Sequence, residues 1–264
     1  MSRLGISRLP AVMVAVIAAA FLFLPLMVVI PMSFSTAVSF EFPPPGYGLG
    51  YYRKFAADLD WIEPTINSFI IASGTTLLTL LLSVPASFAY VRHRFRGRGL
   101  FNLLVMLPLV VPHVVAALGY YGFLSTIGLL GTPLGVIIAH VALAMPVVFL
   151  AVTAALKGFD RNLERAAMSA GAGPLRTFWH VTLPVLRPGI LVAALFGFLT
   201  SFNEAVVAIF IAGRDGSTLP KKMFESIRLE SDPVIAVVST LLTAAVLLGA
   251  VCALAFRSRS RRAA

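Results

Sequence analysis

The sequence predicts an all-α membrane protein that crosses a bilayer six times as one transmembrane domain over residues 1–264. Hydrophobic residues make up 59% of the chain and charged residues 12%, and the mean hydropathy is +0.93. A soluble domain carries about 25% charged residues, which excludes that class. Six apolar blocks are each near or above the ~20 residues that a spanning helix needs. They lie at about 10–34, 65–91, 100–124, 134–156, 188–213 and 234–256.

The basic residues between the blocks predict the orientation of the chain. If both termini are cytoplasmic, 15 of the 21 lysines and arginines lie inside, as the positive-inside rule requires. The other six are Arg53, Lys54, Arg214, Lys221, Lys222 and Arg228. The net charge of +10 does not indicate nucleic acid binding, because the arginine-rich runs 92–99 and 257–262 flank predicted spans and suit anionic lipid headgroups. We therefore expect membrane lipids, and no nucleic acid, as partners.

The first block is interpreted as an uncleaved helix, since it greatly exceeds the apolar core of about 7–15 residues in a secretory signal. The outer segment 35–64 is rich in proline, glycine and aromatic residues. It predicts a connector with interfacial anchor residues, with a short re-entrant or surface-lying element as the other interpretation. The second block, from Thr65, carries polar side chains that we assign to helix packing. These are Thr76, Thr79, Ser83, Ser87 and Tyr90.

Prolines inside the apolar blocks predict kinked or broken helices, which transporters tolerate where unwound backbone lines a cavity. They are Pro85, Pro108, Pro112 and Pro146. His113 and His140 lie in the same blocks. No histidine pair has metal-ligand spacing, so we predict hydrogen-bonded structural histidines and no metal site. The single cysteine, Cys252, offers no disulfide and no metal cluster.

The polar loop 158–187 predicts a helix-turn-helix at the membrane surface, with both helices too short to span. The first helix carries a narrow stripe of small side chains at helical spacing: Leu163, Ala166, Ala167 and Ala170. Glu164, Arg165 and Ser169 are expected elsewhere on its surface. Gly171 can adopt the positive φ that ends this helix. Pro174 suits the first turn of the second helix, whose predicted face is Leu175, Phe178 and Trp179.

The fifth block contains Glu204, the one acidic residue within a predicted span. On a continuous helix it belongs to a small and polar stripe: Gly197, Thr200, Ser201, Glu204 and Ala208. Charge is costly at bilayer depth, so the stripe must face the interior. We predict a substrate path along Thr200, Ser201, Asn203 and Glu204. A structural role for Glu204, towards a neighbouring helix or a partner subunit, is equally open.

The polar loop resembles the coupling loop of binding-protein-dependent ABC transporter permeases, whose pattern is E-A-A-x3-G-x9-I-x-L-P. The matching residues are Ala166, Ala167, Gly171, Val181, Leu183 and Pro184. The glutamate of the pattern falls on Arg165, and Glu164 stands one residue early, so a salt bridge from the pattern's glutamate is not expected. SFNEAVVAIFIAG and the loop after it resemble the second permease subunit of spermidine/putrescine importers and their relatives for opines, aminobutyrate and aminoethylphosphonate. Many of these relatives have Asp in place of Asn203.

The resemblance implies the fold of a type I ABC importer permease, with six spanning helices and a cytoplasmic coupling helix, in the bacterial inner membrane. It implies a homologous second permease subunit, a dimer of ATP-binding subunits and a periplasmic solute-binding protein. The implied solute is a polyamine or a related amine or amino acid derivative. The resemblance places contacts with the ATPase at Leu163, Glu164, Ala166, Ala167, Ala170, Gly171, Val181, Leu183 and Pro184.

ATP hydrolysis is expected on another chain. A phosphate-binding loop ends in lysine followed by serine or threonine, and none of the four lysines is followed by either. We therefore predict a transport subunit that is not an enzyme and has no cofactor, with ATP and Mg²⁺ on the partner. An ion-coupled secondary transporter would explain the kinks and Glu204, but not the patterned loop. A membrane-embedded enzyme lacks a catalytic constellation.

Overall fold

The computed structural model describes residues 8–229 and 232–262. Apart from an isolated bridge between Ser35 and Tyr47, the regular structure of these residues is helical, which confirms the predicted all-α class. The helices are α1 (Arg8–Ser33), α2 (Gly50–Ala57), α3 (Leu59–Arg92), α4 (Arg98–Met106), α5 (His113–Thr126), α6 (Pro133–Lys157), α7 (Asn162–Ser169), α8 (Pro174–Thr177), α9 (Leu183–Phe202), α10 (Val206–Ile211), α11 (Leu219–Leu229) and α12 (Val234–Arg262).

The described residues form two compact units, one within 1–62 and 223–264 and one of residues 63–222. In the first unit, α1 and α2 both pack against α12. Lys54 on α2 donates to Asp232 at 2.9 Å, and this hydrogen bond raises the pKa of the Lys54 ammonium. Asp232 also accepts the backbone N–H of Val234 at 3.1 Å, which caps the start of α12.

The second unit is built around α6 and α9, which pack along each other. The start of α6 is capped: Pro133 is its first residue, and the Thr132 hydroxyl accepts the N–H of Gly135 at 3.1 Å. The hydroxyl side of α3 faces α6, since Ser83 donates to the Met145 sulfur at 3.1 Å. Ser87 donates to the Phe149 carbonyl at 3.3 Å. These hydroxyls serve helix packing, as predicted.

Four helical runs in the described residues are long and apolar enough to cross a membrane. They are Pro10–Ser33, Leu59–Arg92, Pro133–Lys157 and Pro174–Phe202. A fifth span results if Arg98–Leu109 and His113–Thr126, bent by 103° at their junction, are counted together. The apolar part of α12 covers Val234–Gly249. The spans support the predicted polytopic membrane protein, and the exact number of six stays a prediction. The bend confirms the break expected near Pro112.

Two predicted boundaries are wrong. The second span begins at Leu59 rather than Thr65, because its amphipathic first turns continue the helix outward from the apolar block. The loop was expected to contain a second short helix and to end before residue 188. Instead, one helical run of 29 residues extends over Pro174–Phe202. A π-helical turn at Phe178–Thr182 ends two residues before Pro184 and accommodates the missing N–H of this proline within the run.

The fifth block was predicted as one continuous helix over 188–213, and this is also wrong. α9 ends at Phe202, and α10 begins only at Val206. The Glu204 carboxylate accepts the N–H of Val207 at 2.9 Å, so its side chain caps a new helix and does not continue the old one. The polar stripe is therefore interrupted at Asn203 and Glu204.

Candidate functional site

The loop predicted to contact an ATPase exposes an apolar surface. α7 is followed by Gly171, whose φ of +89° confirms the left-handed turn. The stripe of Leu163, Ala166, Ala167 and Ala170, called the α7 stripe below, is exposed except for the half-buried Ala167. Leu175 and Trp179 beside it are 73% and 57% exposed. Such a set of exposed apolar side chains on a short polar loop is typical of an interaction surface.

Glu164 does not lie on the surface as predicted. It is buried, and its carboxylate accepts two hydrogen bonds of 2.7 Å from the guanidinium of Arg92, the last residue of α3. The Thr182 hydroxyl, at the end of the π turn, donates to the same carboxylate. The prediction failed because helix phase alone does not reveal a partner 72 residues away in sequence.

The Arg92–Glu164 pair is charge-assisted and bidentate, the stronger geometry for an ion pair. Burial acts to raise the pKa of Glu164, but the hydrogen bonds from Arg92 and Thr182 outweigh it and lower the pKa. Folding stability from the ionised carboxylate is therefore present above its ordinary value of 4.5, and it is lost as the pH falls through the lower folded-state pKa. Removal of one partner from a buried pair costs about 3–5 kcal/mol.

The remaining residues assigned to ATPase coupling, and Arg165, differ in their exposure. Arg165, at the position of the pattern's glutamate, is exposed, and its guanidinium donates to the Asn162 amide oxygen at 3.4 Å. Val181 and Leu183 are half-buried on the π turn and the first residue of α9, and Pro184 is exposed. Of the residues assigned to ATPase coupling, Glu164 alone is fully turned inward.

A second polar cluster forms where two broken helices meet. His113 is the first residue of α5, directly after the bend, and its Nδ1 lies 2.9 Å from Glu204 Oε2. The other carboxylate oxygen of Glu204 accepts a hydrogen bond from the N–H of Val207. Glu204 is 6% exposed, whereas the His113 side chain is 50% exposed and Asn203 is also exposed. His113 was missed as a site residue. Its place after Pro112, in a block with a predicted break, was the available signal.

The other two predicted path residues are already engaged inside the second unit. Ser201 is buried, lies 2.9 Å from His140 Nδ1 and donates to Thr75 at 3.3 Å. The Thr200 hydroxyl donates to the Phe196 carbonyl one turn earlier at 2.8 Å. His140 is thus a hydrogen-bonded core histidine. Among the described residues, no group of three or more His, Cys, Asp or Glu could hold a metal ion.

Long apolar helices, helix breaks with polar residues at membrane depth, and an exposed loop with the coupling pattern together define the membrane subunit of a transporter. The family model described as "Binding-protein-dependent transport system inner membrane component" matches residues 80–262. The match extends over more than half of the sequence, and the chain belongs to this family. The permease class read from the loop is therefore confirmed.

Two polyamine permeases are similar to this chain over most of their length. The putrescine transport system permease protein PotI of Escherichia coli (strain K12) is 29% identical over 254 residues, which are 93% of this chain and 90% of PotI. The spermidine/putrescine transport system permease protein PotC of Haemophilus influenzae is 23% identical over 226 residues, covering 84% of this chain and 86% of PotC. The similarity to polyamine permeases is thereby confirmed.

Solved structures support the fold. The crystal structure of a bacterial ABC transporter that imports the acidic polysaccharide alginate contains a chain that matches with a TM-score of 0.74 at 16% identity, covering 95% of this chain and 97% of that one. The alginate transporter in complex with its alginate pentasaccharide-bound periplasmic protein matches with a TM-score of 0.69, also at 16% identity, covering 91% of this chain and 90% of that one. At this identity the likeness establishes the permease fold and not a substrate.

Proposed function

We propose that this permease subunit forms half of the translocation path of an ATP-driven importer for putrescine or a related amine or amino acid derivative. The observation that carries the substrate class is the similarity to the putrescine permease PotI over 93% of the chain. A periplasmic binding protein delivers the solute to the outer side of the path.

The proposed partners follow from the family and from the exposed loop. A homologous second permease subunit completes the path, and a dimer of ATP-binding subunits hydrolyses ATP with Mg²⁺. The α7 stripe, with Gly171, Val181, Leu183 and Pro184, docks in a groove of an ATP-binding subunit. The exposed side chains Leu175 and Trp179 support this proposal, since their burial against a partner would remove apolar surface from water.

The proposed substrate contact is the cluster of His113, Asn203 and Glu204. A carboxylate at membrane depth beside two helix breaks is the usual arrangement of a transporter site. An ammonium group that reaches Glu204 competes with His113 for Oε2, since the two lie 2.9 Å apart. The proposal that Thr200 and Ser201 also line the path has less support, because both hydroxyls are hydrogen-bonded within the chain.

The substrate is tested by uptake of radiolabelled putrescine into proteoliposomes that contain the assembled importer. We expect uptake that unlabelled putrescine and spermidine inhibit. Transport of a different solute, with no competition from either amine, would contradict the proposed substrate class.

We further propose that both termini lie in the cytoplasm of a bacterial cell, because 15 of the 21 basic residues then lie inside. A phosphatase reporter, which is active only in the periplasm, is fused after Arg262, with a second fusion in the outer segment 35–64 as control. We expect phosphatase activity only from the fusion in the segment 35–64. Activity from the fusion after Arg262 would refute this orientation.

A further inference from the structure

We infer that Arg92 is the positioning residue of the coupling loop: it holds α7 at a fixed rotation against α3 and α9, so that displacement of α7 moves both membrane helices. The inference rests on the proposed coupling role of the loop. It assigns a function to the cluster of Arg92, Glu164 and Thr182, called the Arg92 cluster below.

The Arg92 cluster joins three separate helical elements. Arg92 is the last residue of α3, Glu164 is the third residue of α7, and Thr182 is the last residue of the π turn that continues into α9. Both guanidinium–carboxylate hydrogen bonds measure 2.7 Å. A bidentate pair fixes the mutual orientation of the two planar groups, whereas a single contact would allow rotation.

The guanidinium is itself held in place by aromatic rings. It lies 4.6 Å from the centre of the Phe88 ring and 5.9 Å from that of Phe159, so a ring from α3 and a ring from the segment just after α6 both contact it. Phe88 in turn packs edge-to-face on Phe178 of the π turn. These ring contacts restrict the Arg92 side chain, so a displacement of α7 is passed on to α3 and is not absorbed by rotation of that side chain.

α7 has few other means of keeping its orientation. A helix of eight residues is not stable on its own in water, and most of its side chains are exposed. At about 100° per residue, the α7 stripe is centred about 110° around the helix from Glu164. With Glu164 held inward, the stripe is turned towards solvent, where a partner can reach it. Rotation of α7 by one residue would turn part of the stripe away.

Exchange of the two residues separates the effect of the ion pair from the effect of the charge at either position. The variants are Arg92→Glu, Glu164→Arg and the double exchange, each in the full importer with its ATPase subunits and binding protein. The matched control is Arg94→Glu, which makes the same charge change two residues away at an exposed position. The measurements are the yield of assembled complex, the stimulation of ATP hydrolysis by the binding protein, and putrescine taken up per ATP hydrolysed.

The single variants are expected to lower uptake per ATP by at least about fivefold, the lower end of typical coupling between two sites. The double exchange should recover most of this loss, and Arg94→Glu should behave as wild type. If the single variants do not assemble, the uptake per ATP measured for the double exchange decides whether the inference holds. An assembled double exchange that stays uncoupled, or single variants with a wild-type ratio, would overturn the inference.

Failure of the proposed substrate would give a different result. The wild-type importer would then show ATP hydrolysis stimulated by the binding protein but no putrescine uptake. In that case, the stimulation of ATP hydrolysis in the same four variants still tests the role of Arg92. A wild-type complex without any stimulation would contradict the proposed importer function itself.

Discussion

Replacement of Gly171 by arginine is expected to abolish ATP-driven uptake while the permease still inserts in the membrane. Gly171 has a φ of +89°, in the left-handed region that costs other residues about 1–2 kcal/mol. Apart from Gly171 and its two chain neighbours, no atom lies within 4 Å of the position that a Cβ would take, so an added side chain begins in open space. The arginine would project into the proposed docking groove. Uptake and ATP hydrolysis in proteoliposomes measure the effect.

Three further variants separate backbone strain from a clash with the partner. Asparagine tolerates the left-handed conformation, so Gly171→Asn should keep most of the uptake. Ala167→Glu leaves the turn intact but puts a charge into the α7 stripe, and it should uncouple hydrolysis from uptake as Gly171→Arg does. Arg165→Glu restores the family pattern at an exposed position and should be tolerated. Wild-type coupling in Gly171→Arg and Ala167→Glu would mean that the stripe is an ordinary surface.

Glu204→Gln is expected to reduce putrescine uptake by about tenfold or more, equivalent to at least about 1.4 kcal/mol. Glutamine keeps the size of the side chain and an oxygen that can accept the N–H of Val207. It removes the negative charge that an ammonium group would meet after it displaces His113. Uptake rates over a range of putrescine concentrations, together with the yield of complex, measure the loss.

His113→Asn is the matched control for a structural role, because it disturbs the same pair from the other side. If Glu204 serves the substrate, His113→Asn should keep assembly and a large part of the uptake. If the pair only ties α5 to the end of α9, both variants should lower the yield of complex to a similar degree. Unchanged uptake kinetics in Glu204→Gln would contradict a substrate contact.

Composition and proline positions predicted much of the fold. The apolar blocks at 10–34, 65–91 and 134–156 correspond to long helices, and Pro112 marks the 103° bend. The break after Phe202 was not predictable in the same way, because the helical spacing of the small and polar stripe continues through it and no proline lies there. At this break the Val207 N–H donates to the Glu204 side chain, and α10 packs against α5.

The candidate sites were predictable only as far as local pattern determines them. Helical spacing placed the α7 stripe on one face, and glycine chemistry located the turn at Gly171. The partners of the acidic residues were not predictable. Arg92 lies 72 residues before Glu164, and only the packing of α3 beside α7 and the π turn brings them together. His113 reaches Glu204 for the same reason, since two helix breaks far apart in sequence meet in space.

The central claim, that this chain carries its solute by ATP hydrolysis on a partner subunit, is tested most directly by putrescine uptake into proteoliposomes under defined energy sources. The account predicts uptake only when ATP, the ATPase subunits and the binding protein are all present. It predicts no uptake when the phosphate-loop lysine of the ATPase is replaced, and no change when ion gradients are collapsed. Uptake by this chain without the ATPase, driven by an ion gradient, would contradict the account.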